Sequence, residues 1–269
     1  MSSPMLIPWT NDLVESKGPS LDRGDAPSAT TYVLHRLRAD IVAGYFAPGE
    51  KLPLKILVDR YKTSVAPIRE ALAALCGTGL VESQSQRGFR VAEVSSEDFA
   101  LVAEMRKRLE LLALKISIER ANPTWVEEAR RAFKELTTIS QKVGPDGPIT
   151  VEWEFLHRQF HFTLIANCGS PSLLNICAQL NDRYDRYRRL AIRSKSYMAG
   201  VAADNEEIVE ATVAGNVDLA TALLERHIDA MTEVILEAGR TQPSSTDART
   251  CTRNGSRFSR EPFDRGAAE

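Results

Sequence analysis

The sequence predicts a mainly α-helical chain in two parts: an N-terminal winged helix-turn-helix with a small two-stranded wing, then an all-α six-helix bundle. Three observations predict it. Between Lys51 and Arg90, two short helical stretches flank a tight turn and lead into two extended runs around polar residues. From Ser96 to Gly239, apolar residues recur at helical spacing and no strand alternation is sustained. Short Gly- and Pro-containing breaks divide that second region, as the connections of a helical bundle do.

Met1 to Pro27 contains Gly18, Pro19, Gly24 and Pro27 and has no sustained periodicity, so residues 1–27 read as a flexible arm. Residues 28–95 form the head. Its first helix, Ser28 to Ala43, places Val33, Leu34, Leu37 and Ile41 on one face and stops at Gly44. Leu57 and Val58 are the apolar face of the next helix. Thr63 or Ser64 suits the N-cap of the third, since a short hydroxyl can bond the unpaired N–H groups of a first turn. Ile68, Leu72 and Leu75 follow at helical spacing, and Gly77 and Gly79 end the helix. Leu80-Val81-Glu82 and Gly88-Phe89-Arg90-Val91 are the two strands.

Residues 96–239 form the body. Ser96 is expected to cap a helix running to about Arg120, with Glu97 and Asp98 in the first turn where the helix dipole favours negative charge. Its expected core stripe is Leu101, Met105, Leu109, Leu112 and Ile116. Further helices are expected over Trp125–Lys142, Thr150–Asn167, Pro171–Ser194, Tyr197–Ala214 and Val217–Gly239. Residues 240–269, rich in Ser, Thr, Arg and Gly, read as a disordered tail.

At 269 residues, 43% hydrophobic and 26% charged, the chain has the composition of a globular protein with two domains. No run approaches the roughly 20 apolar residues of a membrane helix, and no secretory signal is evident. Cys76, Cys168, Cys177 and Cys251 are scattered, as in reduced cytoplasmic proteins. The net charge of −2 is unevenly spread: nine basic and six acidic residues over 28–95 make the head +3 and leave −5 for the rest. A basic head on an acidic body suits phosphate contact by one part and regulation by the other.

Three of the four histidines stand in a pattern. His157 and His161 are four apart and so project from one helix face, beside Trp153, Phe160, Leu164 and Ile165. His227 lies in the inward stripe Ala220, Leu223, Leu224, Met231, Val234. Three imidazoles on inward faces offer what a buried metal site needs; hydrogen-bonded core histidines are the alternative.

Two sets of motifs carry a family resemblance. Ala47-Pro48-Gly49-Glu50-Lys51-Leu52, Ser64-x-x-Pro67-Ile68-Arg69-Glu70-Ala71-Leu72, Gly79-Leu80-Val81 and Arg87-Gly88-Phe89 resemble the head of GntR-family bacterial transcription regulators. Arg106-x3-Glu110, Phe160-His161-x2-Leu164, and Gly215-Asn216-x-Asp218-x-Ala220 followed by His227 resemble the FCD-type body of the FadR subgroup. The resemblance implies a dimeric, ligand-responsive regulator, more often a repressor, on a pseudo-palindromic double-stranded operator. Phosphate contacts fall to Lys55, Lys62, Ser64 and the wing at Arg87-Gly88, and Arg69 reaches a base edge or phosphate. Where the family usually has Arg after the capping Ser, this chain has Val65, followed by Ala66. Those side chains can touch a thymine methyl but donate no hydrogen bond.

The family's metal ligands resemble an Asp-x3-His pair and two further histidines. Here His157 takes the place of the Asp, His161 and His227 match, and Asn205 stands where His is usual. Asp204, Glu154 or Glu206 could add a carboxylate. Three nitrogens with a weak oxygen favour zinc, with nickel possible, over calcium or magnesium. A small organic acid is the implied effector. Arg106 is its cationic partner, with Arg188 from the Arg-rich segment Asn181 to Arg189, whose other arginines are expected at the solvated surface. Two other classes compete: a metal-dependent hydrolase on a helical bundle, which lacks a clear general base, and a metal-free acyl-CoA-type sensor.

Overall fold

Val33, Leu37 and Ile41 recur one turn apart and are fully buried against Leu57, Ile68, Leu72 and Leu80 in the core of the head. In this computed structural model the described residues are 26, 28–85, 87–143, 150–191 and 198–240. Nearly all of the expected arm and the tail beyond Arg240 lie outside them. Helix α1 spans Ala29–Val42 and is capped by Ser28, whose Oγ accepts from the Thr31 amide at 3.1 Å. Helices α2 (Leu54–Tyr61) and α3 (Val65–Gly77) are the helix-turn-helix. Strands β1 (Val81–Gln84) and β2 (Gly88–Val91) pair antiparallel, Val81 opposite Val91 and Gln84 opposite Gly88. The Leu52 amide adds a bond to Phe89 O, tying the wing to the start of α2.

Local chemistry differs from expectation at two turns. Ser64 occupies the N-cap of α3, but its side chain makes no capping bond. Gly77 is the last helical residue, and Gly79 (φ +74°) supplies the left-handed turn into β1. Lys62, between α2 and α3, is the one non-glycine described residue with positive φ (+52°). Its amide closes α2 onto Val58 O. A side chain in that conformation costs roughly 1–2 kcal/mol, which the packing of α2 against α3 must offset.

The body contains α4 (Ser96–Glu119), α5 (Pro123–Val143), α6 (Val151–Ala166), α7 (Pro171–Ala191), α8 (Met198–Val213) and α9 (Val217–Arg240). Its core gathers Leu114, Trp125, Phe160, Leu164, Ile208 and Leu224. Buried indole N–H groups find acceptors: Trp125 Nε1 donates to Thr163 O at 2.8 Å and Trp153 Nε1 to Ser140 Oγ at 2.9 Å. The helix spans agree with the expected ones to within a few residues, although Ser95, not Ser96, caps α4, accepting from the Asp98 amide at 3.1 Å.

The expected core stripe of α4 holds for Leu109 and Ile116, which pack half-buried against the core, and is overturned for the other three. Leu101 is 68% exposed, and Met105 and Leu112 are each 47% exposed. The helix instead buries Phe99, Val102, Arg106, Glu110, Ala113, Leu114 and Ile118. The reason is physical: α4 packs its mixed polar face against α7 and α9, where Arg106 and Glu110 satisfy each other, and leaves its more apolar ridge outward. In α9, Val234 is likewise exposed, and Ile235 is buried in its stead.

Where the head runs into α4, a third cluster of Phe99, Tyr184, Tyr187 and Ile235 fills the joint. The ring centroid of Phe99 lies 5.2 Å from Tyr184 and 4.9 Å from Tyr187. Tyr187 Oη donates to Asp98 at 2.7 Å and accepts from the Ser95 amide at 3.3 Å.

Candidate functional site

The head presents its expected contact residues on the surface. Lys55 on α2, Lys62 in the turn, Ser64, Val65, Ala66 and Arg69 at the start of α3, and Arg87 and Gly88 at the wing are all exposed. Among the described residues no ion pair engages Lys55, Arg69 or Arg87. The uncapped Ser64 hydroxyl is therefore open to an outside acceptor or donor. Gly88 has φ +84°, and a Cβ built there would meet nothing within 4 Å. The demand for glycine at the wing is thus conformational and leaves the backbone exposed for close approach.

In the body, the i, i+4 relation within α6 and the inward face of α9 bring three histidines together. Ring nitrogens of His157, His161 and His227 all lie within 4.8 Å of one another. His157 Nε2 and His161 Nε2 are 3.2 Å apart. Trp153 stacks on His157, ring centroids 4.7 Å apart. Burial holds His157 and His161 well below the ordinary imidazole range, helped by the neighbouring histidines and by Arg106. Burial also lowers His227, against the opposing pull of Asp204, to which His227 Nδ1 donates at 3.3 Å.

The donor set fits a divalent metal. The imidazoles are kept neutral, the form that ligates. Nitrogens sharing a tetrahedral zinc stand about 3.3 Å apart, close to the separation of His157 and His161. Asp204 engages His227 Nδ1 and leaves Nε2 to ligate, the outer-carboxylate arrangement that orients ligand histidines. Asn205 is 1% exposed and its Oδ1 has no hydrogen-bond partner, yet it does not line the cavity beside the histidines. Glu206 is exposed, and Glu154 is committed to Arg188 and Arg189.

That cavity is small, about 20 Å³, and is lined by charge. Arg106 Nε donates to Glu110 at 3.0 Å, and its guanidinium lies 4.3 Å from the Tyr184 ring centroid. Burial opposes the Arg106 charge, but Glu110 and Tyr184 more than restore it. Arg188 pairs with Glu154 at 2.9 Å and Asp185 at 3.3 Å. Burial works against the Asp185 charge too, but Arg188, Arg158 and Arg106 hold its carboxyl below the usual range.

The expectation that most arginines of the 181–189 segment are solvated is overturned. No residue of that segment is fully exposed, and Arg186 and Arg188 are buried among acceptors. Sequence reasoning also missed Arg158 and Tyr184 as lining residues. Tyr184 was legible: Asn181, Tyr184, Asp185 and Arg188 stand at i, i+3, i+4 and i+7 on α7, one helical face. Arg158, one residue after His157, carries no such signal.

Residues 29–91 match the family described as bacterial regulatory proteins, gntR family, and residues 101–230 match the FCD domain. The HTH-type transcriptional regulator BphR of Paraburkholderia xenovorans (strain LB400) is 32% identical over 206 residues, 76% of this chain and 84% of that protein. The HTH-type transcriptional repressor GlaR of Escherichia coli (strain K12) is 29% identical over 206 residues, 75% of this chain and 93% of its own length. Among solved structures, E. coli McbR/YncC shares the fold with a TM-score of 0.69 at 20% identity, covering 79% of this chain and 99% of the other.

Proposed function

The chain belongs to the GntR family of bacterial regulatory proteins and carries an FCD domain, and from that premise we propose a ligand-responsive transcription repressor that binds a pseudo-palindromic operator as a dimer. Members of this family are DNA-binding regulators, not enzymes, so the hydrolase alternative falls. Among the described residues no helix is long and apolar enough to cross a membrane.

One observation carries the reading: a basic head exposing unpaired Lys55, Arg69 and Arg87 sits on a body whose three clustered histidines border a charged cavity. The second helix of a helix-turn-helix enters the major groove by its N-terminal residues, here Val65, Ala66 and Arg69. With Val65 first, base reading rests more on apolar contact with thymine and less on guanine. The outward ridge Leu101, Met105 and Leu112 supports the dimer. An apolar ridge at that exposure suits burial against a second copy, and two heads then meet two half-sites.

In the body, His157, His161 and His227 would hold the metal, zinc in preference to nickel, with Asp204 orienting His227. A metal there supplies a Lewis-acid seat for a carboxylate oxygen. Arg106 and Arg188, which with Arg158 face the same space, favour a small organic acid as effector.

Two measurements test the proposal. Mobility shift on DNA from the chain's own upstream region should detect binding that weakens by about 1–3 kcal/mol in Arg69→Ala. Equal binding by the variant would remove Arg69 from the interface. Elemental analysis of purified protein should find about one metal per chain, lost in His161→Ala/His227→Ala; unchanged content would end the metal reading.

A further inference from the structure

Helix α7 carries two stripes of polar residues. Asn181, Tyr184, Asp185 and Arg188 face the cavity. Asp182, Arg183 and Arg186 leave the same helix toward the head. Arg186 donates to Ala92 O, and Arg183 pairs with Asp98 at 2.7 Å and lies beside Gly79. Asp182 receives the guanidinium of Arg38 from α1, through Nε and Nη2.

The stripes meet at one carboxylate. Asp182, 3% exposed, also forms an ion pair with Arg158, whose Nη1 lies 2.7 Å from Oδ1. Arg158 lines the cavity, and the same Nη1 is 3.2 Å from Asp185 Oδ2. Asp182 Oδ1 is therefore shared between an arginine of the head and an arginine of the cavity wall. In a buried setting such sharing is a competition, because little solvent screens one guanidinium from the other.

We propose that Arg158, Asp182 and Arg38 form the coupling element between cavity and head, and that a small carboxylate entering the cavity takes Arg158 and leaves Asp182 to Arg38. With its second partner withdrawn, Asp182 holds Arg38 more strongly, and α1 is pinned more tightly to α7. The ligand thereby sets how freely the head moves on the body, a bias of the kind allosteric control requires. The proposal rests on the effector reading above and adds the route by which occupancy is transmitted.

The sign makes it testable by hydrogen–deuterium exchange of the full chain. Arg158→Gln should mimic occupancy: Asp182 keeps Arg38, Asp185 keeps Arg188, and exchange of the α1 amides slows by about threefold or more. Arg38→Gln should speed it, and Arg158→Lys, which keeps the charge, should resemble the wild type. Acetate is the carboxylate probe, with the emission of Trp153, stacked on His157, reporting occupancy. Acetate should slow α1 exchange in the wild type and add nothing in Arg158→Gln. Unchanged or faster α1 exchange in Arg158→Gln overturns the coupling. So does an acetate response at Trp153 with none at α1, and in that case the effector reading stands. Slowed exchange in Arg158→Gln with no acetate response anywhere upholds the coupling and counts against a carboxylate effector.

Discussion

Acidifying the metal-free protein from pH 7.5 to 5.5 should remove a sizeable part of its stability. His157 is half-buried and His161 buried, and the loss of water around both imidazoles holds them neutral well below their ordinary value of 6.5. In the unfolded chain they titrate near that value, so between 6.5 and the folded values the unfolded state binds more protons. Stability then rises with pH, is fully present above about 6.5, and is lost as pH falls below it. A histidine that stays neutral in the fold contributes RT ln 10 over this window, about 1.4 kcal/mol, and the pair therefore about 2.7 kcal/mol. His227 adds a smaller amount of the same sign, since Asp204 opposes its shift. The lowered carboxyls of Asp98 and Asp185 act below 3.8, outside the window. Urea unfolding in a chelating buffer at pH 7.5, 6.5 and 5.5 measures the loss. His157→Gln/His161→Gln should show a much flatter dependence. A wild type equally stable at 7.5 and 5.5, or a double variant as pH-sensitive as the wild type, would refute the buried neutral pair.

Lys62→Gly separates stability from DNA binding. It should raise stability by up to about 1 kcal/mol by relieving the left-handed residue, while lowering the salt slope of operator affinity by about 0.9 if Lys62 contacts one phosphate. Thermal unfolding and salt-dependent mobility shifts read the two effects. Leu101→Glu/Leu112→Glu should leave the circular dichroism spectrum intact and turn the proposed dimer into monomers in sedimentation velocity; a persistent dimer would place the interface elsewhere. Leu72→Ala, a fully buried truncation in the head, should cost about 2–5 kcal/mol in head stability, detectable as a lower urea midpoint for that part.

The winged head was legible because its signals are local. Periodicity in α1 and α3, a polar turn between short strands, and glycines at left-handed positions each act within a few residues. The approach of His157 to His161 was legible for the same reason, being one helical turn. The α4 stripe failed at Leu101, Met105 and Leu112 because hydrophobicity alone cannot tell a ridge facing the core from one facing solvent or a partner. Arg106 and Glu110 could occupy the buried face only because each supplies the other's charge and Asn181 completes Glu110. The arginines of α7 were misjudged likewise, since their acceptors come from distant segments: Asp98, Glu154 and Ala92 O.

By itself, then, the sequence determined the two-part architecture, the family and the helices that carry the histidines, because spacing along one chain encodes what lies within one or two turns. Only the tertiary structure decided that His227 joins the α6 pair and that Asp182 is shared by head and body. Those depend on how separate helices are set against one another, and packing between distant elements leaves no periodic trace in either.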